Sequence, residues 1–280
     1  MPSPIEFVEL TCNERRVRIE AQRIAPAHAR PDAPLMVFLH EGLGSLAMWR
    51  DFPKSLCEAT GVHGLVYSRP GYGRSTARPP DEHWDVDFMH RQAYEVLPAL
   101  LDALQIDRTH RPLWLLGHSD GGSIALLHAS RFARQVAGVI VMAPHVSVEP
   151  KAIASIALAR DNYLRTDLKQ RLARYHDDAD SAFWGWNDIW LHAPFAHWNI
   201  EAEVARIRCP LLALQGIHDE YVTLDQIHAI ARLVRHAVVV ELPQCGHSPQ
   251  RDQPERVIDE VTRFVAAHVR LSQPQHQPTA

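Results

Sequence analysis

Leu113-Trp114-Leu115-Leu116-Gly117-His118-Ser119-Asp120-Gly121-Gly122-Ser123 is an apolar run that breaks at a glycine-flanked serine and resumes as Ile124-Ala125-Leu126-Leu127. It reads as strand, sharp turn, helix. A serine at the apex of such a turn takes a cramped backbone conformation, so the residues two before and two after it must be small. Gly117 and Gly121 fill those places. The turn leaves a hydroxyl at the start of a helix.

Outward from this turn, apolar runs alternate with helical patterns. Leu35–Leu39 and Val136–Ala143 are continuous apolar runs, the mark of strands buried on both faces. Gly64–Tyr67, Pro210–Gly216 and Ala237–Leu242 add further strands. Trp49–Thr60, Asp87–Leu104 and Leu224–Leu233 carry apolar residues at helical spacing, with Pro98 expected to kink the second of them. A last helix begins at Pro254, with Val257, Val261, Phe264, Val265 and His268 on its inner face. Ile5–Leu10 and Arg16–Ile24 alternate at period two and predict an antiparallel pair at the sheet edge. The whole predicts an α/β chain: a mostly parallel sheet flanked by helices, with right-handed crossovers.

From 146 to about 205 the pattern changes. No strand-like run appears; Pro150–Arg160 and Asp161–Tyr175 read as helices, and Phe183, Trp184, Trp186, Trp190, Phe195 and Trp198 crowd into the next stretch. Those aromatics either line a pocket for an apolar substrate or pack the segment onto the core.

Composition narrows the function classes. The 280 residues, 46% hydrophobic, suffice for a large core, and a net charge of −4 with both signs interspersed gives no basic face for nucleic acid. The expected partner is a small-molecule substrate, and a homodimer stays open. No apolar run approaches the ~20 residues of a membrane span, and the opening residues lack a signal peptide's basic and apolar regions, so a cytoplasmic location is expected. Cys12, Cys57, Cys209 and Cys245 are scattered and read as free thiols. The 18 histidines show no metal-ligand spacing, and most are expected at the surface or at helix ends. Neither metal nor cofactor is predicted.

The Gly-x-Ser-x-Gly turn, between an apolar strand and a helix, resembles the nucleophile elbow of the α/β-hydrolase family. That resemblance implies an eight-stranded sheet with a helical cap inserted after the sixth strand. The corresponding domains are a core over 1–145 and 206–271, a cap over 146–205, and a disordered tail over 272–280. It also implies a triad in the chain order Ser119, Asp219, His247, each just beyond a strand end. Glu220, beside Asp219, is chemically able to replace it. The turn His40-Glu41-Gly42-Leu43-Gly44-Ser45 looks like the family's His-Gly-x oxyanion turn, which makes the N–H groups of Gly42 and Asp120 the oxyanion donors. Glu41 stands where the family usually has glycine, and a shift of one residue would make Leu43 the donor. Ser68–Ser75 resembles the family's loop after the fourth strand and lacks the lysine of a phosphate-binding loop.

By this resemblance His247 removes the Ser119 proton as the oxygen attacks a carbonyl carbon, and Asp219 holds His247 in the right tautomer. A serine at 119 excludes dehalogenase and epoxide-hydrolase chemistry, which use aspartate there. The expected activity is hydrolysis of a carboxylic ester of a small apolar or aromatic substrate through an acyl-enzyme. A C–C bond hydrolase or enol-lactonase acting on ring-fission products uses the same triad. A slow or non-catalytic ligand-binding receptor on the same fold is the reading of another class. The carboxylate of Asp120 has no role in any of them.

Overall fold

The computed structural model describes residues 3–12 and 15–269; the expected tail lies outside them. One sheet holds eight strands: β1 (Glu6–Cys12), β2 (Arg15–Ile24), β3 (Leu35–Leu39), β4 (His63–Tyr67), β5 (Leu113–His118), β6 (Val136–Met142), β7 (Leu211–Gly216) and β8 (Val238–Leu242). Their order is β1-β2-β4-β3-β5-β6-β7-β8. β2 pairs antiparallel with β1 and β4, and the remaining pairs are parallel.

The continuous apolar strands are explained by cover on both faces. Leu35, Val37, Leu39, Leu113, Leu115, Val139 and Val141 join one core cluster, while Met36, Phe38, Trp114, Leu116, Ile140 and Met142 join the other. The second core is closed by α1 (Phe52–Thr60) and by the long C-terminal helix, through Leu56, Val257, Val261 and Phe264. Trp49, expected to open α1, instead ends a 3₁₀ turn over Leu46–Trp49.

The first core is closed by a helical stretch running from α2 (Phe88–Arg91) through a π turn (Gln92–Val96) into α3 (Leu97–Ala103), together with α4 (Asp120–Arg131). The π turn is where Pro98 acts. Leu97 N–H bonds back to Gln92 O in the five-residue register, and Pro98, having no N–H, leaves Ala93 O unserved. His128 on α4 fills the gap, its Nδ1 lying 2.7 Å from Ala93 O.

Between β6 and β7 the chain is helical: α5 (Pro150–Arg165), α6 (Leu168–Leu172), α7 (Ala179–Trp190), a 3₁₀ turn (Ala193–His197) and α8 (Glu201–Val204). The break expected at 160/161 does not occur, because no glycine or proline interrupts the run; α5 ends at Thr166, whose backbone is extended. α7 starts on a cap, the Asp178 carboxylate accepting from Ser181 N–H at 2.8 Å. α9 (Asp225–Leu233), α10 (Pro249–Asp252) and α11 (Pro254–Val269) follow among the described residues.

Parallel pairing sets the place of chemistry. Leu39 pairs with Gly117, His118 with Met142, Met142 with Leu214 and Gly216 with Leu242. The loops after β3, β5, β6, β7 and β8 therefore leave the sheet at one edge, the usual ligand edge of an open α/β sheet.

Candidate active site

Ser119 occupies the apex of the β5–α4 turn with φ +53° and ψ −121°, a conformation that side-chain-bearing residues rarely adopt. Its N–H donates to Met142 O at 2.9 Å, which binds the apex to the next strand. The flanking glycines are required by space. A Cβ on Gly117 would fall 2.1 Å from Gly121 O, and one on Gly121 would fall 2.1 Å from Leu39 O.

His247, in the loop after β8, lies with Nε2 3.0 Å from Ser119 Oγ. Its Nδ1 is 2.9 Å from each carboxylate oxygen of Asp219. This pairing calls for the Nδ1–H tautomer, with Nε2 free to accept the serine proton. Asp219 Oδ1 also accepts from the N–H groups of Tyr221 at 2.8 Å and Val222 at 3.1 Å. Burial pushes the Asp219 carboxyl upward, but the His247 contacts and these N–H groups outweigh it and hold the group below its ordinary range. Glu220 faces a different atom, accepting from the His247 backbone N–H at 3.0 Å. The two neighbouring acids thus divide the histidine between them. Lys151 of α5 donates to Asp219 O at 2.5 Å and Ser155 to Glu220 O at 2.8 Å, so the helical insertion braces the acid loop.

The sequence-predicted oxyanion groups reach the same edge. Among the described residues the N–H groups of Gly42, Leu43 and Asp120 have no hydrogen-bond acceptor. A Cβ on Gly42 would fall 2.2 Å from Trp186 Nε1, so only glycine fits beneath that indole. Glu41, the departure from the family pattern, has a partner: its Oε2 lies 3.4 Å from His118 Nδ1. Burial raises the Glu41 carboxyl, yet His118 and His40 bring it down to about 2. The turn is further fixed by Arg69, whose Nη2 donates to Glu41 O at 2.8 Å and whose backbone N–H donates to His40 Nε2 at 3.0 Å. His176 of the insertion bridges this turn to the loop after β4, with Gly73 N–H on its Nδ1 at 2.9 Å and Leu43 O 3.1 Å from its Nε2.

Asp120 is wholly buried, and neither carboxylate oxygen has a hydrogen bond. Burial raises its carboxyl to about 6, against the opposing pull of Arg69 and the nearby Trp190 indole.

Most of the described histidines are exposed or half-buried, as expected, and a minority gathers inside the molecule. His40, His118, His128, His145, His176 and His247 are all buried. His118 Nε2 lies 2.7 Å from the His247 carbonyl and His145 Nε2 lies 3.2 Å from Ser119 Oγ. His40 directly follows β3 and His145 comes shortly after β6, but a histidine at such a place faces solvent as readily as a nucleophile, so position alone did not mark them. Among the described residues no group of three or more His, Cys, Asp or Glu side chains is placed to hold a metal, and all four cysteines are free thiols.

The insertion's aromatics separate into two sets. Trp186 covers Gly42, and Trp190 lies 4.7 Å, centroid to centroid, from the His145 ring. Phe183 stacks on Tyr163 at 3.7 Å, and Phe195 packs on Trp198 and Phe88 at 5.5 and 5.6 Å. The Phe183–Tyr163 stack joins α7 to α5 within the insertion, and Phe195 ties the insertion to α2 through Phe88.

The family model described as the alpha/beta hydrolase family matches residues 36–260. The chain is 28% identical over 246 residues to a provisionally named carbamate hydrolase, RutD, of Pseudomonas savastanoi pv. phaseolicola, covering 80% of this chain and 90% of that one. It is 24% identical over 242 residues to the 2-hydroxy-6-oxo-6-phenylhexa-2,4-dienoate hydrolase of Burkholderia cepacia, covering 77% and 82%. The solved structure of a proline iminopeptidase of Mycobacterium smegmatis superposes with a TM-score of 0.73 at 17% identity, covering 96% of this chain and all of that one, a likeness of fold.

Proposed function

Because the chain belongs to the alpha/beta hydrolase family, we propose that it is a serine hydrolase that cleaves the carboxylic ester of a small apolar or aromatic substrate through an acyl-enzyme. The observation that carries this reading is the contact of Ser119 Oγ with His247 Nε2 at 3.0 Å, backed by Asp219 at 2.9 Å.

A serine hydroxyl is a weak nucleophile, and a base within hydrogen-bond reach removes its proton as it attacks. His247 takes that proton at Nε2, while Asp219 stabilises the imidazolium formed and fixes its tautomer. The carbonyl π electrons move onto oxygen, where the N–H groups of Gly42 and Asp120 receive the charge; one such donor is worth about 100- to 1000-fold in rate. His247 then protonates the leaving alcohol, and water repeats the cycle on the acyl-enzyme. The helical segment over 146–205 serves as the cap, with Trp186 and Trp190 as its substrate-facing aromatics and the other rings as its packing.

A second reading, cleavage of a C–C bond in a ring-fission product, is favoured by the name of the Burkholderia cepacia relative. A fluorophosphonate probe tests the shared premise. It is expected to label the folded protein and to leave Ser119→Ala unlabelled; absence of labelling in the wild type would sink both readings in favour of a binding protein. A panel of p-nitrophenyl esters of graded chain length, run against ring-fission diketones, then separates the two.

A further inference from the structure

Ser119 Oγ carries two imidazoles, His247 Nε2 at 3.0 Å and His145 Nε2 at 3.2 Å. A hydroxyl has one proton to give. If that proton points to His247, whose other nitrogen is committed to Asp219, a hydrogen bond from the second ring needs a proton on His145 Nε2. His145 Nδ1 is then the bare nitrogen, and it is buried without a hydrogen-bond partner.

The ring is held for this contact. The Ser123 hydroxyl, one turn along α4, donates to His145 O at 2.7 Å and accepts from His145 N–H at 3.0 Å. Val146 N–H, next in the chain, donates to Gln226 Oε1 at 2.7 Å, and the Trp190 ring lies against the imidazole at 4.7 Å. Burial, and then the neighbouring His247 charge, pushes His145 down to about 3, so it stays neutral and does not compete with His247 for the serine proton.

We propose that His145 is a fourth catalytic side chain, resting on the serine-hydrolase reading above: its Nε2–H donates a hydrogen bond to Ser119 Oγ and stabilises the negative charge that gathers there during attack and departure. In acylation the Oγ–H bond breaks toward His247 Nε2 while an Oγ lone pair forms the new bond to carbon. In deacylation the bonding pair returns to Oγ, which recovers its proton from His247. His145 keeps its own proton throughout. It differs from the oxyanion donors in acting on the nucleophile's oxygen rather than the substrate's.

Three variants separate this role from packing against Trp190. Glutamine carries an amide N–H where Nε2 lies; asparagine reaches only the Nδ1 position; phenylalanine keeps the ring's bulk without an N–H. The readouts are the second-order rate of fluorophosphonate labelling, kcat and KM for a p-nitrophenyl ester, and Tm. His145→Phe and His145→Asn are expected to lose about 100-fold in labelling rate and in kcat with KM within about threefold, and His145→Gln to stay within about fivefold of wild type. Labelling of His145→Phe at the wild-type rate, or an equal fall in the Gln and Asn variants, overturns the inference while leaving the triad standing. An unlabelled wild type overturns both. Should the Phe variant fail to fold, the Gln and Asn pair still decides.

Discussion

On the His247 side of Ser119, Asp219 accepts from His247 Nδ1 and from the N–H groups of Tyr221 and Val222, and Glu220 takes the His247 backbone N–H. Around Asp120, by contrast, both carboxylate oxygens, Arg69 Nη1 and the Tyr72 hydroxyl are buried without a hydrogen bond. Two aspartates beside one serine consequently shift in opposite directions, Asp219 downward and Asp120 up to about 6. The difference teaches where the fold is over-determined and where it gives up stability. Each unpaired buried group costs about 1–3 kcal/mol, and paired donors are what hold a base in one orientation.

The comparison breaks most sharply at Asp219. Asp219→Asn is expected to lower kcat by about 10 000-fold by imposing the wrong tautomer on His247. Retention of more than a tenth of wild-type kcat would mean that Glu220 can take over.

The next largest effect tests the other side, with thermal stability as the readout. A rise of the Asp120 carboxyl from 3.8 to about 6 corresponds to about 3 kcal/mol. Between those two values the folded chain holds a proton that the unfolded chain has released, so stability falls as pH rises through this window and the loss is complete above it. Asp120→Asn should therefore raise Tm at pH 7.5, by several degrees, and change it little near pH 4. An equal effect at both pH values would show that burial of the charge is not the cause. Asp219, shifted downward, contributes with the opposite sign: its contribution is present at neutral pH and fades as pH falls through its lowered value. The smallest effect belongs to Glu220→Gln, which keeps an acceptor for the His247 N–H but removes its charge. A loss of no more than about tenfold in kcat/KM is expected; a loss near that of Asp219→Asn would place both acids on the ring.

Much of this is legible in the sequence itself. The continuous apolar runs, Leu35–Leu39 above all, mark strands covered on both faces, and Gly117 and Gly121 mark the strained apex, because each reflects constraints local in sequence. The second imidazole on Ser119 was not legible. It depends on how the β6 and β5 loops meet, and a lone histidine after a strand looks the same whether it faces solvent or a nucleophile. The division of labour between Asp219 and Glu220, the partner of Glu41 and the sorting of the insertion's aromatics are likewise set by tertiary packing. The π turn before Pro98 was half legible: a helix irregularity was expected there, but not its relief by His128.

The left-handed backbone of Ser119 carries an implication for how this chain can change over generations. Its φ of +53° suits glycine better than any residue with a side chain, so relieving the strain and keeping a nucleophile are incompatible at this position. Ser119→Gly should melt above Ser119→Ala while both are inert toward the probe. Selection on stability alone would erode the serine, and its presence in so unfavourable a conformation is what selection for activity would maintain.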